Sequence, residues 1–385
     1  MKILMLSTDL KIFESGSESE KRIKDYGSLV EELHVIVKAA SDSSTSLGAG
    51  KQQAASIIGN VFLYPTNDRH KFLYFFNAYR IGKSIIRNWK LEIRNCVITA
   101  QDPFETGLVG YWLKRKYKPP LQLQVHTDFL SPYFRRESVK NKIRVVLGKW
   151  LVKKADGLRV VSERIKCSLC FKLQVPSSKI TVLPIVYDME RFRTGAVKID
   201  LRRKYPGRFI ILMATRLTRE KNIGLAIRAM SEIVKVCPQA LLLIVGSGPE
   251  HTNLKSQISD LKLQKDVVME NWSDDIISYY RTADLFLLTS NYEGGARAPA
   301  EAVAAGLPVI MTDVAPAGEI VIDGRNGFVV LVNDCRQLSS KLIELASDSA
   351  KRLMFSRQSL SVAGGFITKD NYLKLYYQAL VGAWS

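Results

Sequence analysis

Two carboxylates, those of Glu293 and Glu301, flank the start of a short predicted helix in the second half of the chain. Gly294, Gly295 and Ala296 follow the first carboxylate and offer backbone amides with little side chain to cover them. Polar residues on a turn from a strand to a helix are typical of ligand sites in open α/β sheets. We therefore predict a ligand site at this turn, although these residues alone do not say which ligand it binds.

The chain around the two carboxylates has the pattern of a strand, a turn, a short helix and a second strand. The apolar runs 283–290 and 309–311 predict the two strands. Pro299 suits the first turn of the helix, because its missing N–H would have no partner there. Gly306 suits the left-handed position just past the helix end.

A second polar turn follows the predicted strand 209–214. Arg216 and Lys221 stand five residues apart in it, and the next helix is predicted to begin near Asn222. A helix N-terminus carries partial positive charge, to which the two side chains add full charges. The turn therefore predicts an anion site, although isolated surface cations at this spacing often have no function.

A glycine turn follows the predicted strand 241–245. Gly246 and Gly248 form half of a dinucleotide-binding fingerprint, but His251 occupies the position of the third glycine. Tight turns from strand to helix need glycine in any case, so the signal is weak. It favours a nucleotide-binding layout and argues against NAD.

His126 ends the predicted strand 121–125. A histidine at the carboxyl end of a parallel strand is expected to point into a cleft between domains. A purely structural role is an equally good interpretation of this single histidine.

The cysteines do not indicate a metal site. All five are scattered along the chain, which fits a reducing compartment. Cys167 and Cys170 have the spacing of metal ligands, but no second pair accompanies them. We interpret them as packed core cysteines and predict no metal.

Length and charge indicate two domains, of which the first is strongly basic. A chain of 385 residues exceeds one ordinary core. Residues 1–200 hold 34 Lys and Arg against 19 Asp and Glu, or +15, whereas residues 201–385 hold 22 against 18, or +4. The excess predicts an anionic partner for the first half: a phospholipid surface, a lipid-phosphate acceptor or a nucleic acid. A basic surface that is merely solvated explains the charge equally well.

Both halves alternate predicted strands with predicted helices, which favours parallel, doubly wound sheets. In the first half we predict strands at 3–7, 34–37, 57–64, 96–100, 121–125 and 158–161. In the second half we predict strands at 209–214, 240–245, 267–269, 285–288, 309–311 and 328–331. Residues 39–55 are rich in Ser, Ala and Gly and predict a mobile loop.

The predicted domains are 1–195 and 196–368. A helix at 369–385 could pack back on the first domain. Two predicted helices of the first domain, 71–90 and 140–154, combine aromatic residues with many cations and suit the headgroup region of an anionic membrane. The alternative is that their apolar faces pack on the sheet. No apolar run approaches the length of a membrane span, and the N-terminus favours a first strand over a signal peptide.

Taken in order, these motifs resemble the retaining glycosyltransferases of family 4, which have the GT-B fold. The resemblance covers nearly the whole chain. It rests on the two glutamates, on the cation pair and on the following short segments: Gly306 to Val309, Gly246 to Pro249, Asp323 to Phe328 and Val186 to Asp188.

The resemblance implies two Rossmann-like, doubly wound α/β domains that face each other across a cleft. It also implies that residues 1–195 bind the acceptor and that residues 196–368 bind the donor. The donor substrate would be a UDP- or GDP-linked sugar, with no cofactor and no metal. Arg216 and Lys221 would stabilise the departing nucleoside diphosphate. Glu293 would contact the hydroxyls of the donor sugar, and Glu301 those of the ribose.

Other positions carry over in the same way. The amides of Gly294, Gly295 and Ala296 would meet the sugar or phosphate, and His126 the transferred sugar. The remaining donor-binding residues implied are Gly246, Trp272 near the base, and Gly16, to which the usual glycine pair after the first strand is reduced. The family pattern is broken after Glu293, where Gly-Gly-Ala is followed by Arg297. The side chain of Arg297 could contact an anionic acceptor or donor, or only face solvent, and we expect the latter.

We therefore expect a retaining, metal-independent hexosyltransferase for a glycan or lipid-linked acceptor of the cell envelope. It would be cytoplasmic and peripheral on the inner face of the membrane, with no nucleic acid as partner. A nicotinamide oxidoreductase is an alternative that the incomplete fingerprint disfavours. A nucleic-acid-binding protein is another, and it leaves Glu293, Glu301, Arg216 and Lys221 unexplained.

Overall fold

A computed structural model describes residues 1–39, 56–70, 72–89, 95–184, 189–295 and 297–383. The chain divides into two compact units. Unit 1 comprises Met1–Phe129, Ser138–Leu183 and Lys369–Ser385, and unit 2 comprises Leu130–Glu137 and Pro184–Thr368. Most of the predicted loop 39–55, and the family-like segment at 186–188, lie outside the described residues.

Unit 1 is built on an eight-stranded sheet. Its strands are β1 (Lys2–Ser7), β2 (Glu32–Val37), β3 (Ser56–Ile58), β4 (Val61–Pro65), β5 (Cys96–Ala100), β6 (Leu121–Val125), β7 (Gly157–Val160) and β8 (Ile180–Val182). Their order is β3-β4-β2-β1-β5-β6-β7-β8, and every neighbouring pair is parallel except β3 and β4. The strands β1, β5, β6 and β7 are buried throughout, as expected for a parallel sheet covered on both faces.

The prediction of one strand at 57–64 is wrong. The segment forms an antiparallel hairpin of β3 and β4, with Gly59 in a left-handed turn at φ +64°. The side chain of Asn60 holds the turn by donating to the carbonyls of Gly27 and Val30. Gly followed by Asn is a turn signal inside an apolar run, and it interrupts the strand.

Helices join the strands of unit 1. They are α1 (Glu18–Gly27), α2 (Leu73–Asn88), α3 (Glu105–Tyr117), α5 (Val139–Lys154) and α6 (Glu163–Leu173); the short α4 (Pro132–Glu137) belongs to unit 2. Side-chain oxygens of Ser17, Ser138 and Ser162 cap the first turns of α1, α5 and α6. Cys167 is exposed on α6 and Cys170 is half-buried, so the interpretation of both as packed core cysteines is wrong.

Unit 2 is built on a six-stranded parallel sheet. Its strands are β9 (Phe209–Ala214), β10 (Ala240–Val245), β11 (Val267–Glu270), β12 (Leu285–Leu288), β13 (Val309–Thr312) and β14 (Gly327–Val330), in the order β11-β10-β9-β12-β13-β14. Its remaining helices are α7 (Glu190–Thr194), α8 (Leu201–Lys204), α9 (Ile223–Val236), α10 (His251–Asp260), α11 (Ile276–Thr282), α12 (Arg297–Ala304), α13 (Cys335–Ser347) and α14 (Ser349–Ala363).

The sheet of unit 2 separates two apolar cores, because successive side chains of a strand point to opposite faces. On β9, Ile211 and Met213 pack into a core with α9 and α13, while Ile210 and Leu212 pack into a second core with α11 and α12. Covering both faces in this way gives a doubly wound α/β unit. The predicted α/β class is confirmed, with a parallel sheet in unit 2 and a sheet in unit 1 that is parallel except at β3.

The last helix, α15 (Lys369–Val381), returns to unit 1. Tyr372 and Tyr376 are fully buried there, and the ring of Tyr376 stacks on that of Tyr26 at 4.0 Å between centroids. Among the described residues, no helix combines the length and the apolar character needed to cross a membrane.

Candidate functional site

Polar turns meet at the carboxyl ends of three adjacent strands of unit 2. They follow β9, β10 and β12, which are neighbours in the sheet. Carboxyl ends of parallel strands share one edge, so the turns that carry Arg216, Gly246 and Glu293 lie side by side. This is the edge at which open α/β sheets bind ligands.

Lys221 and Glu293 form an ion pair at this edge. The Nζ of Lys221 lies 2.5 Å from Oε1 of Glu293, and the two side chains are only 14% and 12% exposed. The hydroxyl of Ser290 donates to the same carboxylate oxygen at 2.6 Å. Residues that stand 72 positions apart in the chain are thus joined into one nearly buried polar group.

Backbone contacts fix the geometry of this pair. The hydroxyl of Thr289 donates to the carbonyls of Lys221 and Asn222, at 3.0 and 3.1 Å. The amide of Asn291 donates to the carbonyl of Glu220 at 2.8 Å. The turn after β9 and the turn after β12 are therefore tied together through the backbone at and on both sides of Lys221.

Asn222 marks the start of α9. Its backbone is left-handed at φ +47°, a conformation that Asn tolerates better than most residues. Its side-chain amide donates to Asn291 and Asn333, at 3.1 and 2.7 Å. Lys221 therefore stands just outside the first turn of a helix, beside its partial positive charge.

Arg216 lies in the same turn but has a different environment. Its side chain is 76% exposed, and its Nη2 lies 3.3 Å from Oε1 of Glu220. The hydroxyl of Thr218 donates to that same oxygen at 2.7 Å. The edge therefore carries two cationic groups, the exposed guanidinium of Arg216 and the enclosed ammonium of Lys221. Together they could bind one anion.

Glu301 has partners different from those of Glu293. It pairs with Nε of Arg297 at 2.9 Å and accepts a hydrogen bond from the hydroxyl of the buried Tyr280 at 3.0 Å. Burial, and then the negative charge of Glu301, raises the pKa of Tyr280 well above its ordinary value. The expectation that Arg297 only faces solvent is wrong, because the i,i+4 spacing on α12 brings it onto the carboxylate.

The segment between the two glutamates carries the predicted amides. Gly294 is buried and Gly295 half-buried, while Ala296 lies outside the described residues. Pro299 is the third residue of α12, and Gly306 follows the helix at φ +81°. The predicted limits of this helix therefore agree with the structure.

Gly246 and Gly248 allow two turns to pack against each other. A Cβ on Gly246 would lie 1.8 Å from the carbonyl oxygen of Thr215, and one on Gly248 would lie 2.4 Å from that of Leu217. The amide of Leu217 donates to the carbonyl of Ser247 at 2.9 Å. The structure thus gives these glycines a packing role that does not depend on a ligand.

Trp272 follows β11 and is 54% exposed. Near it, Glu270 accepts hydrogen bonds from Lys204, Tyr205 and Tyr279. The partly buried position raises the pKa of Glu270, but these hydrogen bonds outweigh it and bring the pKa below its ordinary value. The carboxylate thereby fixes the base of the loop that presents the indole ring.

His126 lies in unit 1, at the end of β6. Its Nε2 is 3.0 Å from Oε1 of Gln124, which also accepts from Nη1 of the buried Arg159 at 3.0 Å. A guanidinium only donates, so the atom facing it is the amide oxygen. His126 must then donate from Nε2, and its lone pair lies on Nδ1. Burial, then the charges of Arg159 and Arg22, lower the pKa of His126 to about 3, so the ring is neutral.

Gly16 also lies in unit 1, in the loop before α1. Its backbone is left-handed at φ +80°, and its amide donates to the carboxylate of Glu20 at 2.7 Å. This amide is therefore already occupied by a side chain of the same helix. Gly16 and His126 thus belong to unit 1, whereas the group around Lys221 belongs to unit 2.

Sequence reasoning missed Ser290, Thr289 and Tyr280. The two hydroxyl residues end an apolar strand directly before the motif, and that position is a usable signal. Tyr280 carried no signal, because its contact with Glu301 depends on how α11 and α12 pack. Within the described residues, no cluster of His, Cys, Asp and Glu could hold a metal ion.

Two family models match consecutive parts of the chain. Residues 32–191 match the model described as Glycosyltransferase Family 4, and residues 199–361 match Glycosyl transferases group 1. The second match contains the group around Lys221.

Relatives are similar over different lengths. The poly(glycerol-phosphate) alpha-glucosyltransferase of Bacillus subtilis (strain 168) is 33% identical over 170 residues, which is 44% of this chain but only 25% of the relative. The UDP-Gal:alpha-D-GlcNAc-diphosphoundecaprenol alpha-1,3-galactosyltransferase of Escherichia coli is 28% identical over 314 residues, 78% of this chain and 80% of the relative. The crystal structure of Anabaena Alr3699/HepE in complex with UDP has a TM-score of 0.76 at 20% identity and covers 99% of this chain and 100% of that chain.

Proposed function

The chain belongs to the family 4 type of glycosyltransferases with the GT-B fold, and we propose that it moves a sugar from a nucleoside-diphosphate sugar to an acceptor. The observation that carries the proposal is the nearly buried pair of Lys221 and Glu293 beside the exposed Arg216. Two cations suit a diphosphate, and a carboxylate next to them suits the hydroxyls of the attached sugar.

The donor would be UDP- or GDP-linked and bound by residues 196–368. We propose that Arg216 and Lys221 contact the diphosphate and that Glu293, with the amides of 294–296, contacts the sugar. Glu301 would bind the ribose, and its pairing with Arg297 would hold its carboxylate in place for that contact. Trp272, from its exposed loop, would lie near the base, and Gly246 would let the turn approach the nucleotide.

The proposed mechanism retains the anomeric configuration and needs no metal. Negative charge grows on the leaving diphosphate as the glycosidic bond breaks, and preorganised cations at that position lower the barrier. No carboxylate is assigned as nucleophile, so we propose front-face attack in which the leaving phosphate accepts the acceptor's proton. His126, neutral and donating from Nε2 to Gln124, would contact the transferred sugar through the opposite edge of its ring.

The acceptor would be a glycan or lipid-linked molecule of the cell envelope, bound by residues 1–195. Two relatives support this choice, since their names specify a poly(glycerol-phosphate) and a diphosphoundecaprenol acceptor. Both acceptors carry phosphate, and the excess positive charge of residues 1–200 is complementary to it. We propose a cytoplasmic protein that works at the inner face of the membrane and has no nucleic-acid partner.

A thermal-shift panel tests the donor assignment. UDP- and GDP-linked hexoses are added separately to the full-length protein, with NADH as the control ligand. A ligand at about 100 times its dissociation constant stabilises the folded state by roughly 2.7 kcal/mol, which is measurable. We expect a shift with at least one nucleotide sugar and none with NADH; a shift with NADH alone would contradict the proposal. The nucleotide sugar that gives a shift is then incubated with the protein and a membrane extract, and a glycosylated lipid is looked for as the product.

A further inference from the structure

Three basic helices of unit 1 form one continuous layer. The helices α2 and α3 pack together, and so do α3 and α5. Phe75 and Trp112 meet edge to face at 6.1 Å between centroids, and Tyr111 and Trp150 do so at 4.7 Å. The outer sides of the three helices therefore make a single surface.

The outer side of α5 exposes a stripe of apolar side chains. Val139, Ile143, Val146 and Trp150 are between 40% and 71% exposed. Their spacing of four, three and four residues places them on one face of the helix. The inner side of α5 packs on the unit through Val145, Leu151 and Val152, which are buried. The helix thus has a second apolar face that nothing in unit 1 covers.

Aromatic residues continue this surface on α2 and α3. A groove of about 660 Å³ is lined by Phe72, Phe75, Phe76, Tyr79, Trp112, Arg115 and Lys116. Phe72 and Phe76 are 86% and 63% exposed. Isolated exposed apolar residues are ordinary, but a contiguous group of this kind marks an interaction surface.

The charges around these residues have one sign. The three helices, all within the described residues, contain twelve Lys and Arg and one acidic residue. That acidic residue, Glu105, is 14% exposed and is neutralised by Arg144 at 2.8 Å and Lys140 at 3.4 Å. The exposed part of the layer therefore presents apolar side chains and cations.

We propose that this layer, with Phe72, Phe76, Trp112, Ile143 and Val146 at its centre, docks on the surface of a bilayer that contains anionic phospholipids. Exposed aromatic and aliphatic side chains enter the boundary between headgroups and acyl chains, while the cations contact lipid phosphates. A nucleic acid offers no comparable place for Ile143 and Val146. A second copy of the chain in a symmetric dimer would bring like charges face to face.

This inference deepens the proposed function, since a lipid-linked acceptor would be met at the same membrane. Docking itself needs neither donor nor turnover. The protein could therefore transfer sugar without binding to vesicles, or bind to vesicles without responding to any nucleotide sugar. The two experiments thus distinguish the two proposals.

The test is co-sedimentation of the full-length protein with vesicles. One set is phosphatidylcholine and the other is phosphatidylcholine mixed with phosphatidylglycerol. We expect binding to the anionic vesicles that weakens as salt is raised, and little binding to the neutral ones. Equal binding to both sets, or binding to neither, overturns the proposal.

Variants locate the contact. Ile143→Asp combined with Val146→Asp should weaken binding to anionic vesicles by about tenfold or more, since both side chains leave the apolar region. Lys142→Ser combined with Lys149→Ser should weaken binding mainly at low salt. Leu353→Asp on α14, which places an acid at an exposed apolar position of unit 2, should bind like the wild type.

The double variant Ile143→Asp, Val146→Asp must keep the melting temperature of the wild type and its response to nucleotide sugars, which shows that it is folded. Wild-type affinity of this folded variant overturns the proposal. So does a concentration-dependent dimer in sedimentation velocity that the same variant abolishes, because the occupant would then be a second copy.

Discussion

Lys221 and Glu293 neutralise each other where little water reaches them, and this decides what a mutation at either position does. An ammonium and a carboxylate taken out of water are tolerated because they face each other. Removing one partner leaves the other charge enclosed. Effects on activity and on stability are therefore both expected at this pair and must be measured separately.

Lys221→Ala should lower sugar-transfer turnover by roughly 10²–10³-fold, the usual loss for one preorganised charge partner. The matched control is Lys235→Ala on α9, whose lysine is 65% exposed and pairs with the exposed surface residue Glu232. Turnover is measured at saturating donor and at a temperature where both variants are folded by circular dichroism. Turnover of Lys221→Ala close to that of the control would show that the lysine has no catalytic role.

His126 should make the protein less stable as the pH falls. Its pKa is about 3 in the folded protein and about 6.5 in the unfolded chain. The unfolded chain therefore binds the extra proton between these values, and stability is lost as the pH falls below about 6.5.

His126→Asn should remove this contribution. Its free energy of unfolding in urea should decrease less than that of the wild type between about pH 7.5 and pH 5. His70→Asn, at an exposed histidine, is the control and should follow the wild type. Identical pH dependence in all three proteins would contradict the assignment of a neutral, half-buried imidazole.

At the scale of single residues, the sequence predicted where the site residues lie in the fold better than it predicted which side chains they contact. The spacing of Arg216 and Lys221 before a helix, and of Glu293 after a strand, placed all three at one edge of the sheet. It could not predict that Glu293 would pair with Lys221 while Glu301 pairs with Arg297. Such pairing depends on side-chain directions that only the packed structure sets, and the catalytic and binding roles of these residues remain predictions.

Among the elements, the turn after β10 shows how closely two backbone segments can be packed. The amide and carbonyl of Leu217 bond to Ser247 and Glu250 of the neighbouring turn. Such contact is possible only where no Cβ intervenes. The turn that carries Arg216 is thus held in place by glycines of the next strand's turn.

Gly246→Ala should lower the free energy of unfolding by about 2 kcal/mol or more, since the added Cβ meets backbone that cannot move aside. Gly365→Ala is the control, because its Cβ would make an ordinary contact of 3.4 Å with the carbonyl of Val362. Urea midpoints of the two variants are compared with that of the wild type. A stable Gly246→Ala protein would mean that the two turns can separate.

Predicted elements agree with the structure where the apolar pattern is long and bounded by polar turns, as for β5, β6, β9 and β10. They fail at the two edges of the sheet of unit 1. The strand β8 has three residues and was not predicted, and the hairpin of β3 and β4 was read as one strand. Edge strands are covered on fewer sides, so they carry less of the continuous apolar signal that buried parallel strands need.

At the scale of the whole molecule, unit 1 is assembled from separate parts of the chain, and its last part is the helix α15. The buried Arg159 of β7 donates to the side-chain oxygen of Gln124 and to the carbonyl of Leu183, neither of which carries a full charge. It donates to the hydroxyl of Tyr372 at 2.7 Å and lies 5.2 Å from the ring centre of Tyr376. The helix α15 therefore supplies much of what compensates this enclosed charge.

Tyr372→Phe should lower the free energy of unfolding by about 1–3 kcal/mol, because Arg159 and Tyr26 both lose a hydrogen-bond partner in a dry interior. Tyr377→Phe changes an exposed residue of the same helix and should have almost no effect. Denaturation in urea, followed by far-ultraviolet circular dichroism, measures both. Equal stabilities would indicate that water replaces the lost hydroxyl.

The family and the α/β fold were predictable because the motifs occur in the correct order along nearly the entire chain, and both predictions are confirmed. This result favours the transferase over the oxidoreductase and nucleic-acid-binding alternatives. The basic excess of the first half was also readable, but the exposed stripe on α5 was not. Composition cannot tell a residue that packs on the sheet from one that faces outward on the same helix.

The return of α15 to unit 1 also has a consequence for biosynthesis. A ribosome releases β7, with Arg159, long before it reaches residue 369, and all of unit 2 except Leu130–Glu137 is made in between. Throughout that interval the nascent first unit lacks Tyr372 and Tyr376, so the guanidinium must remain hydrated or find other partners. Unit 2 has all its residues available before unit 1 has its own, and the N-terminal half of this chain is the later of the two to be completed.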